Sequence, residues 1–224
     1  MNLLQSLGCK YGTDKSSTTH TFRGISYLDV YNKHLESRRH TVKNFVEIGV
    51  LNGASLRMWQ EYFPNAIIHG IDINPSCKAH EDNRIKIHIG DQSDDDFLKS
   101  LVQTFGNDNL DAVLDDGSHI TNHQIKTFDY LYSKLSDDGI YIIEDLRNSY
   151  EEFFNHHNVR DVWPGMSYNK REDKLKNYRE DFNSWLQMKI KLMDFHSSQT
   201  NLVGIHCYPM TIVFENGGIN STST

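Results

Sequence analysis

The feature that most constrains the fold is a pair of short apolar runs, each of which ends in two adjacent carboxylates. The runs occupy residues 110–116 and 139–145. If they form neighbouring parallel strands, their carboxyl ends lie side by side, about 5 Å apart across the sheet. One rim of that sheet then carries four acidic side chains and a histidine, namely Asp115, Asp116, Glu144, Asp145 and His119.

Four carboxylates on one sheet edge repel one another unless protons or a cation compensate their charge. A site rich in carboxylate oxygens suits a hard divalent ion such as Mg²⁺. Alternation along a strand points adjacent side chains to opposite sides, which favours a structural role for Asp115 beside an exposed Asp116.

The chain from residue 44 onward alternates between β-rich runs and stretches long enough for helices. The predicted strands are residues 45–48, 67–71, 85–89, 112–114, 140–143, 202–206 and 211–214. Predicted crossover helices are 55–62, 94–105 and 121–135. This pattern predicts an α/β fold with helices on both faces of a mostly parallel sheet. Its seven strands, closed by a C-terminal antiparallel hairpin, give the Rossmann-like layout of class I methyltransferases.

The length of 224 residues fits one sizeable domain. We expect a single domain over residues 1–216 and a disordered tail over 217–224. Within the domain, residues 1–40 would form an N-terminal cap, and residues 146–200 a lid above the strand ends. Trp163, Tyr168 and Trp185 of that lid would either stack on a sugar or simply pack.

Bulk properties exclude several classes of partner. A net charge of −7 argues against non-specific binding to nucleic acid or to an anionic membrane. No apolar run approaches the ~18 residues that span a bilayer, and the first residues do not resemble a signal peptide. The three cysteines are widely spaced without a CxxC pair, which indicates reduced thiols and a cytoplasmic protein.

A glycine-containing connection after the first strand predicts a cofactor site. The pattern ExGxxxGxS places Glu47, Gly49, Gly53 and Ser55 between a strand and a helix. Gly49 allows close approach of a ligand, and Gly53 tightens the turn. The pattern lacks the extra glycine that makes room for a pyrophosphate. It therefore suits S-adenosylmethionine, which has no phosphate, better than a nicotinamide cofactor.

Acidic residues after the next two strands extend this site. Asp72 ends the second strand, where an acid accepts hydrogen bonds from ribose hydroxyls. Asp91 and Gln92 follow the third strand, within reach of an adenine amino group. For Asp91 or Ser93, a helix N-cap is an equally good account. The other histidines, including His69, His88 and His206, show no paired ligand spacing.

Together these motifs resemble the macrocin and mycinamicin sugar O-methyltransferases and the related cephalosporin-hydroxylase-type and rhamnosyl O-methyltransferases. The matching stretches span residues 11 to about 150: Tyr-Gly-Thr-Asp-Lys at 11–15, the glycine motif at 47–55, Asp72, Asp-Asp-Gly-Ser-His at 115–119 and Glu-Asp at 144–145. The better-known macrolide members are longer, with an additional N-terminal domain.

The resemblance implies roles for individual residues. Asp116, Glu144 and Asp145 would bind Mg²⁺, and His119 would act as the general base. Thr13, Asp14 and Lys15 would belong to a loop that closes over S-adenosylmethionine. The cofactor-binding set also includes Asp115. The acceptor would be a small sugar-containing molecule: a nucleotide sugar, a surface glycan or a glycosylated natural product.

Three alternatives remain open. A catechol-type O-methyltransferase also places a divalent ion on strand-end carboxylates, although residues 146–200 are polar for an aromatic acceptor. A cofactor-binding module without catalysis would not need the acidic rim. A nicotinamide-linked oxidoreductase is disfavoured by the glycine pattern. The sequence does not define the hydroxyl methylated or the number of subunits, and a homo-oligomer is compatible with it.

Overall fold

The computed structural model describes residues 1–16, 21–22, 24–105, 110–150, 179–195 and 200–217. Its α-helices are α1 (Leu3–Tyr11), α2 (Tyr27–Leu35), α3 (Ala54–Tyr62), α4 (Asp95–Thr104), α5 (Thr121–Leu131) and α6 (Arg179–Asp194). Short 3₁₀ turns cover Glu36–Arg38, Pro75–His80, Tyr132–Lys134 and Leu146–Ser149. Among the helices of the described residues, none combines the length and apolar character needed to span a bilayer.

The strands form one large sheet and one small hairpin. They are β1 (Thr21–Phe22), β2 (Ile25–Ser26), β3 (Asn44–Ile48), β4 (Ile67–Asp72), β5 (Ile85–Ile89), β6 (Leu110–Asp115), β7 (Leu135–Ile143), β8 (Leu202–Tyr208) and β9 (Thr211–Asn216). The large sheet has the order β5-β4-β3-β6-β7-β9-β8, and β1 pairs with β2. Strands β3 to β7 are parallel, and β9 is antiparallel to both β7 and β8. The predicted seven-stranded, mostly parallel sheet with a closing hairpin is confirmed.

Two hydrophobic cores lie on opposite faces of this sheet, because side chains alternate along each strand. Phe45, Ala112 and Leu114 face one core, which also contains side chains of α1, α2 and α3. Val46 and Val113 face the other core, built with α4, α5 and α6. Helices therefore cover both faces, as predicted.

Local signals set the helix starts. Asn2 caps α1, and Ser26 and Asp29 form a reciprocal capping box at α2. Asp94 caps α4 by accepting hydrogen bonds from the amides of Asp96 and Phe97, so neither Asp91 nor Ser93 is the N-cap. Each cap satisfies backbone amides that have no partner within the helix.

Most predicted boundaries lie within two residues of the observed ones, and two differ by more. Helix α5 ends at Leu131 instead of 135, because a 3₁₀ turn follows it. Strand β7 begins at Leu135, five residues before the predicted start, and its register shifts between Leu110 and Ala112 of β6. The extra residues include two exposed aspartates, whose polarity hides the strand from a hydrophobicity pattern.

The predicted lid is described in part. Its helix α6 buries Phe182 and Trp185 in the second core, and the Trp185 ring packs edge-on against Phe128 and Phe214. Trp185 is thus a packing residue in the described structure. Trp163, Tyr168 and the tail from residue 218 lie outside the described residues.

Candidate active site

The carboxyl ends of β3 and β6 define the crevice where the site lies. From β3 the chain proceeds outward through β4 and β5, and then returns to β6 on the other side of β3. Ligands of open α/β sheets bind at such a switch in strand order. A cavity of about 420 Å³, including its open mouth, lies at this position. It is lined by residues 12–15, by residues 49–52, 54 and 55, and by Asp116.

Gly49 makes this crevice possible. Its φ of +94° lies in the left-handed region, and a Cβ there would come within 2.2 Å of the Asp116 carbonyl oxygen. The Asp116 amide also donates to the Ile48 carbonyl at 3.0 Å. The backbones after β3 and β6 therefore approach more closely than any residue with a side chain allows. Gly49 thus allows the close approach of the two strand ends beside the cavity.

Part of the predicted cofactor set lines this cavity. Thr13, Asp14, Lys15, Gly49 and Ser55 belong to its wall. Two other predicted residues lie just behind that wall. Glu47 is fully buried and accepts a 2.7 Å hydrogen bond from the Ser55 hydroxyl, and Gly53 precedes α3 with a φ of +69°.

The remaining members of that set are absent from the wall of this cavity. Asp72 Oδ2 accepts hydrogen bonds from the amides of Val50 at 2.9 Å and Leu51 at 3.3 Å, so this carboxylate fixes the loop after β3. Asp91 Oδ1 accepts from the amide and hydroxyl of Ser93, both at 2.8 Å.

Gln92 and Asp115 form a buried pair behind the rim. Gln92 Nε2 donates to both Asp115 oxygens, at 3.1 and 3.2 Å, while its Oε1 accepts from the Ser118 amide at 2.7 Å. Burial raises the pKa of Asp115 to about 7. Asp115 is thus held on the opposite side of β6 from Asp116, which reaches the cavity.

Three side chains converge at the acidic rim. Ligand atoms of Asp116, His119 and Asp145 all lie within 4.8 Å of one another. His119 Nε2 is 3.7 Å from Asp145 Oδ2 and 4.0 Å from Asp116 Oδ1. The parallel pairing of β6 with β7 brings the two aspartates together, as the adjacent runs predicted.

Glu144 is oriented differently, toward Lys15. The Lys15 ammonium forms ion pairs with Asp116 and, at 2.9 Å, with Glu144 Oε2. Burial raises the pKa of Glu144 to about 7, and Lys15 acts in the opposite direction. The pKa of Lys15 lies well above its usual value. Burial acts to lower this pKa, but the carboxylates of Asp116 and Glu144 raise it by more. Lys15 therefore carries a full positive charge at this point.

Tyr27 is a site residue that the sequence did not reveal. Its hydroxyl donates a hydrogen bond to Asp145 Oδ1 from the start of α2, 118 positions away. The pKa of Asp145 is lowered from its usual value. Burial acts to raise this pKa, but the charge of His119 and the hydrogen bond from Tyr27 lower it by more. The only sequence signal was a tyrosine following the Ser26 cap, which is an ordinary helix start.

Two rim residues have strained backbones. His119 and Asp145 have φ values of +55° and +54°, which side chains with a Cβ rarely adopt. Such strain costs on the order of 1–3 kcal/mol at each residue and concentrates at functional sites. Here it directs both side chains to the same point.

The donor set fits a hard divalent cation. Asp116 and Asp145 offer oxygen ligands, and Glu144 Oε1 is buried without a hydrogen-bond partner among the described residues. Carboxylate oxygens are the preferred protein ligands of Mg²⁺. An orphaned buried carboxylate oxygen is costly unless a cation or proton satisfies it.

Comparisons with known proteins agree with this geometry. The chain is 36% identical over 154 residues to 8-demethyl-8-alpha-L-rhamnosyl tetracenomycin-C 2'-O-methyltransferase of Streptomyces olivaceus, covering 66% of this chain and 38% of the relative. It is 34% identical over 171 residues to mycinamicin VI 2''-O-methyltransferase of Micromonospora griseorubida. This match covers 73% of this chain and 38% of the relative. No family model matches the chain.

A solved structure extends the similarity over the whole chain. The methyltransferase MycE of the mycinamycin biosynthetic pathway, in complex with Mg, SAH and mycinamycin VI, matches with a TM-score of 0.72 at 27% identity. The match covers 100% of this chain and 57% of the MycE chain. This chain thus spans about two fifths of the curated relatives and somewhat more than half of MycE.

The strand order and the crevice at the β3–β6 switch define a Rossmann-like domain of the class I methyltransferase type. Within that class, the chain belongs to the family of macrocin- and mycinamicin-type sugar O-methyltransferases.

Proposed function

We propose that this protein transfers the methyl group of S-adenosylmethionine to a sugar hydroxyl of a small molecule, with Mg²⁺ bound at the acidic rim. One observation carries the proposal. Asp116 lines the cavity at the β3–β6 switch and also lies within 4.8 Å of the ligand atoms of His119 and Asp145. A cofactor in the cavity and an acceptor at the rim would therefore meet at Asp116.

The cofactor pocket in this proposal comprises the loop at residues 12–15 and the loop after β3. S-adenosylmethionine, when bound, supplies an activated methyl group. Gly49 lets the ends of β3 and β6 meet at the cavity, and the Asp72 carboxylate holds the loop at Val50 and Leu51. Buried Glu47 orients the Ser55 hydroxyl on the cavity wall.

At the rim, Asp116, Glu144 and Asp145 would hold Mg²⁺. The ion, when bound, places positive charge beside a hydroxyl oxygen and makes its alkoxide more accessible. His119 Nε2 faces the two aspartates and is the atom positioned to hold the acceptor proton. The Asp145 carboxylate, itself anchored by Tyr27, stabilises the resulting imidazolium.

We further propose a sugar-containing small molecule as the acceptor class. The relatives' names describe O-methyltransferases for a rhamnosyl tetracenomycin, an L-olivosyl-oleandolide and mycinamicin VI, which supports this class. The three cysteines are free thiols, which supports a cytoplasmic location.

The test is a methyl-transfer assay on a panel of nucleotide sugars, glycosides and a catechol, read by mass spectrometry as the gain of one methyl group. We expect transfer to a sugar-containing acceptor that stops with chelator and returns with Mg²⁺. His119→Ala should lower turnover by about 10²–10⁴-fold, the usual share of general-base catalysis, while cofactor and metal affinity stay unchanged. Asp116→Asn should lose metal affinity together with rate.

His40→Ala is the matched control, because His40 is exposed and lies outside the site. If only the catechol were methylated, the protein would be a catechol-type O-methyltransferase and the proposed sugar acceptor would be wrong. Full activity in excess chelator would show that the reaction does not use the metal. Unchanged turnover in His119→Ala would show that His119 is not the general base.

A further inference from the structure

A second cluster of metal-ligating side chains lies away from the rim, between α2 and the C-terminal hairpin. It consists of His34 near the end of α2, His206 on β8 and Glu215 on β9. Their ligand atoms lie within 4.8 Å of one another. The residues are separated by 172 and 9 positions along the chain, so only the fold brings them together.

The two imidazoles converge on the two oxygens of one carboxylate. His34 Nδ1 lies 3.1 Å from Glu215 Oε1, and His206 Nε2 lies 3.3 Å from Glu215 Oε2. The His206 Nε2 atom is itself buried, and its contact with Glu215 Oε2 is at ion-pair distance without the geometry of a hydrogen bond. Ligands at about 2.0–2.1 Å from Zn²⁺ in a tetrahedral arrangement are about 3.3 Å apart, which matches these separations.

The surroundings prepare His34 as a ligand. Without a metal, His34 Nδ1–H donates to Glu215 Oε1, and Nε2 lies 2.8 Å from the Tyr208 hydroxyl. When a metal binds at Nδ1, the Tyr208 hydroxyl can accept the proton then carried on Nε2. Burial lowers the pKa of His34, although the hydrogen bond to Glu215 acts in the opposite direction. A lowered pKa favours the neutral imidazole, which is the form that binds a metal. The ammonium of Lys33 is the nearby cation, 5.3 Å from the centre of the Tyr208 ring.

Space is available beside the cluster. A Cβ at Gly204 would lie 3.0 Å from Glu215 Oε2 and 3.1 Å from His206 Nε2, so glycine keeps that side open. The side chains of His206 and Glu215 are 38% and 27% exposed, which leaves a coordination position for solvent.

We propose that His34, His206 and Glu215 form a binding site for a transition-metal ion of the Zn²⁺ type, distinct from the acidic rim. Two imidazole nitrogens and one carboxylate suit Zn²⁺, whereas Mg²⁺ prefers an all-oxygen octahedron. The bound ion would join α2 to the β8–β9 hairpin. It would replace the present contacts of the Glu215 carboxylate with His34 and His206. The site is independent of the proposed methyl transfer.

The test uses Zn²⁺ itself and counts ions per chain by calorimetry with a competing chelator. The rim also offers ligands for Zn²⁺, so the experiment is done in an Asp116→Asn background. Zn²⁺ should bind to that variant with a stoichiometry near one, and adding His206→Gln should weaken this binding at least tenfold. His40→Gln in the same background is the matched control and should leave binding unchanged.

A thermal readout separates binding from misfolding. In the Asp116→Asn background, Zn²⁺ at one hundred times its Kd should raise Tm by about 5 °C or more, because it binds only the folded state. The His206→Gln double variant should keep its metal-free Tm but lose this rise. Because His206 is partly exposed, this substitution leaves the core intact. Absence of Zn²⁺ binding in Asp116→Asn, or equal binding in both variants, would overturn the proposal.

Discussion

Glu47 illustrates at the residue scale how burial beneath a ligand pocket sets the pH dependence of stability. Its carboxyl group is fully buried, with a hydrogen bond from Ser55. Burial raises its pKa from 4.5 to about 7, and the Lys15 ammonium acts against this rise. Between these two values the folded state keeps a proton that the unfolded chain releases. This group therefore makes the free energy of unfolding fall as pH rises through that window.

Replacing the group isolates this contribution. Glu47→Gln retains an oxygen for Ser55 but does not titrate, so the pH dependence of its stability should be flatter between pH 5 and 6.5. The difference from wild type should approach about 1.4 kcal/mol per pH unit, the limit for one proton. Urea unfolding at several pH values measures it. Parallel pH profiles for the two proteins would show that Glu47 titrates normally in the folded state.

At the scale of elements, much of the fold could be predicted because its signals are local. Apolar β-rich runs define the parallel strands, and the polar residues at their ends define the rim. The early start of β7 was missed because exposed Asp137 and Asp138 break the apolar pattern. Pairing across the molecule has no local signal either. Lys15 reaches Glu144 over 129 positions, and the residue types alone do not encode that contact.

The close approach of the ends of β3 and β6 at Gly49 leads to a prediction about stability. Gly49→Ala introduces both a strained φ and a clash with the Asp116 backbone, so the strand ends must separate. We expect a loss of about 2–4 kcal/mol in unfolding free energy, measured by urea denaturation. Gly12→Ala is the control, since Gly12 has a φ of +68° but nothing within 4 Å of its Cβ position. It should cost only about 1–2 kcal/mol. Equal losses of unfolding free energy in the two variants would mean that the clash with the Asp116 backbone adds nothing to the cost of Gly49→Ala.

At the scale of the whole molecule, the site draws on distant parts of the chain. The first 35 residues supply Lys15 and Tyr27 to the rim, while Leu4, Leu7 and Leu28 pack in the same core as α3. The described part of this N-terminal segment therefore contributes to both the core and the rim. The Lys15 ammonium, from the loop after α1, and the Tyr27 hydroxyl, at the start of α2, lie against carboxylates that follow β6 and β7.

In the proposed metal site, the ion pairs of Lys15 would also set the charge of the ion that the rim accepts. With all three carboxylates of Asp116, Glu144 and Asp145 ionised, as metal binding requires, one ammonium leaves two negative charges, which a divalent ion neutralises. Lys15→Met leaves a third charge uncompensated, so the rim should then favour a trivalent lanthanide such as Tb³⁺. We expect the ratio of Tb³⁺ to Mg²⁺ affinity, measured by competition, to rise at least tenfold. Lys10→Met, an exposed lysine paired with Glu61, should leave the ratio unchanged. An unchanged ratio in Lys15→Met would mean that the rim selects its ion by geometry and that the lysine serves only to hold the loop.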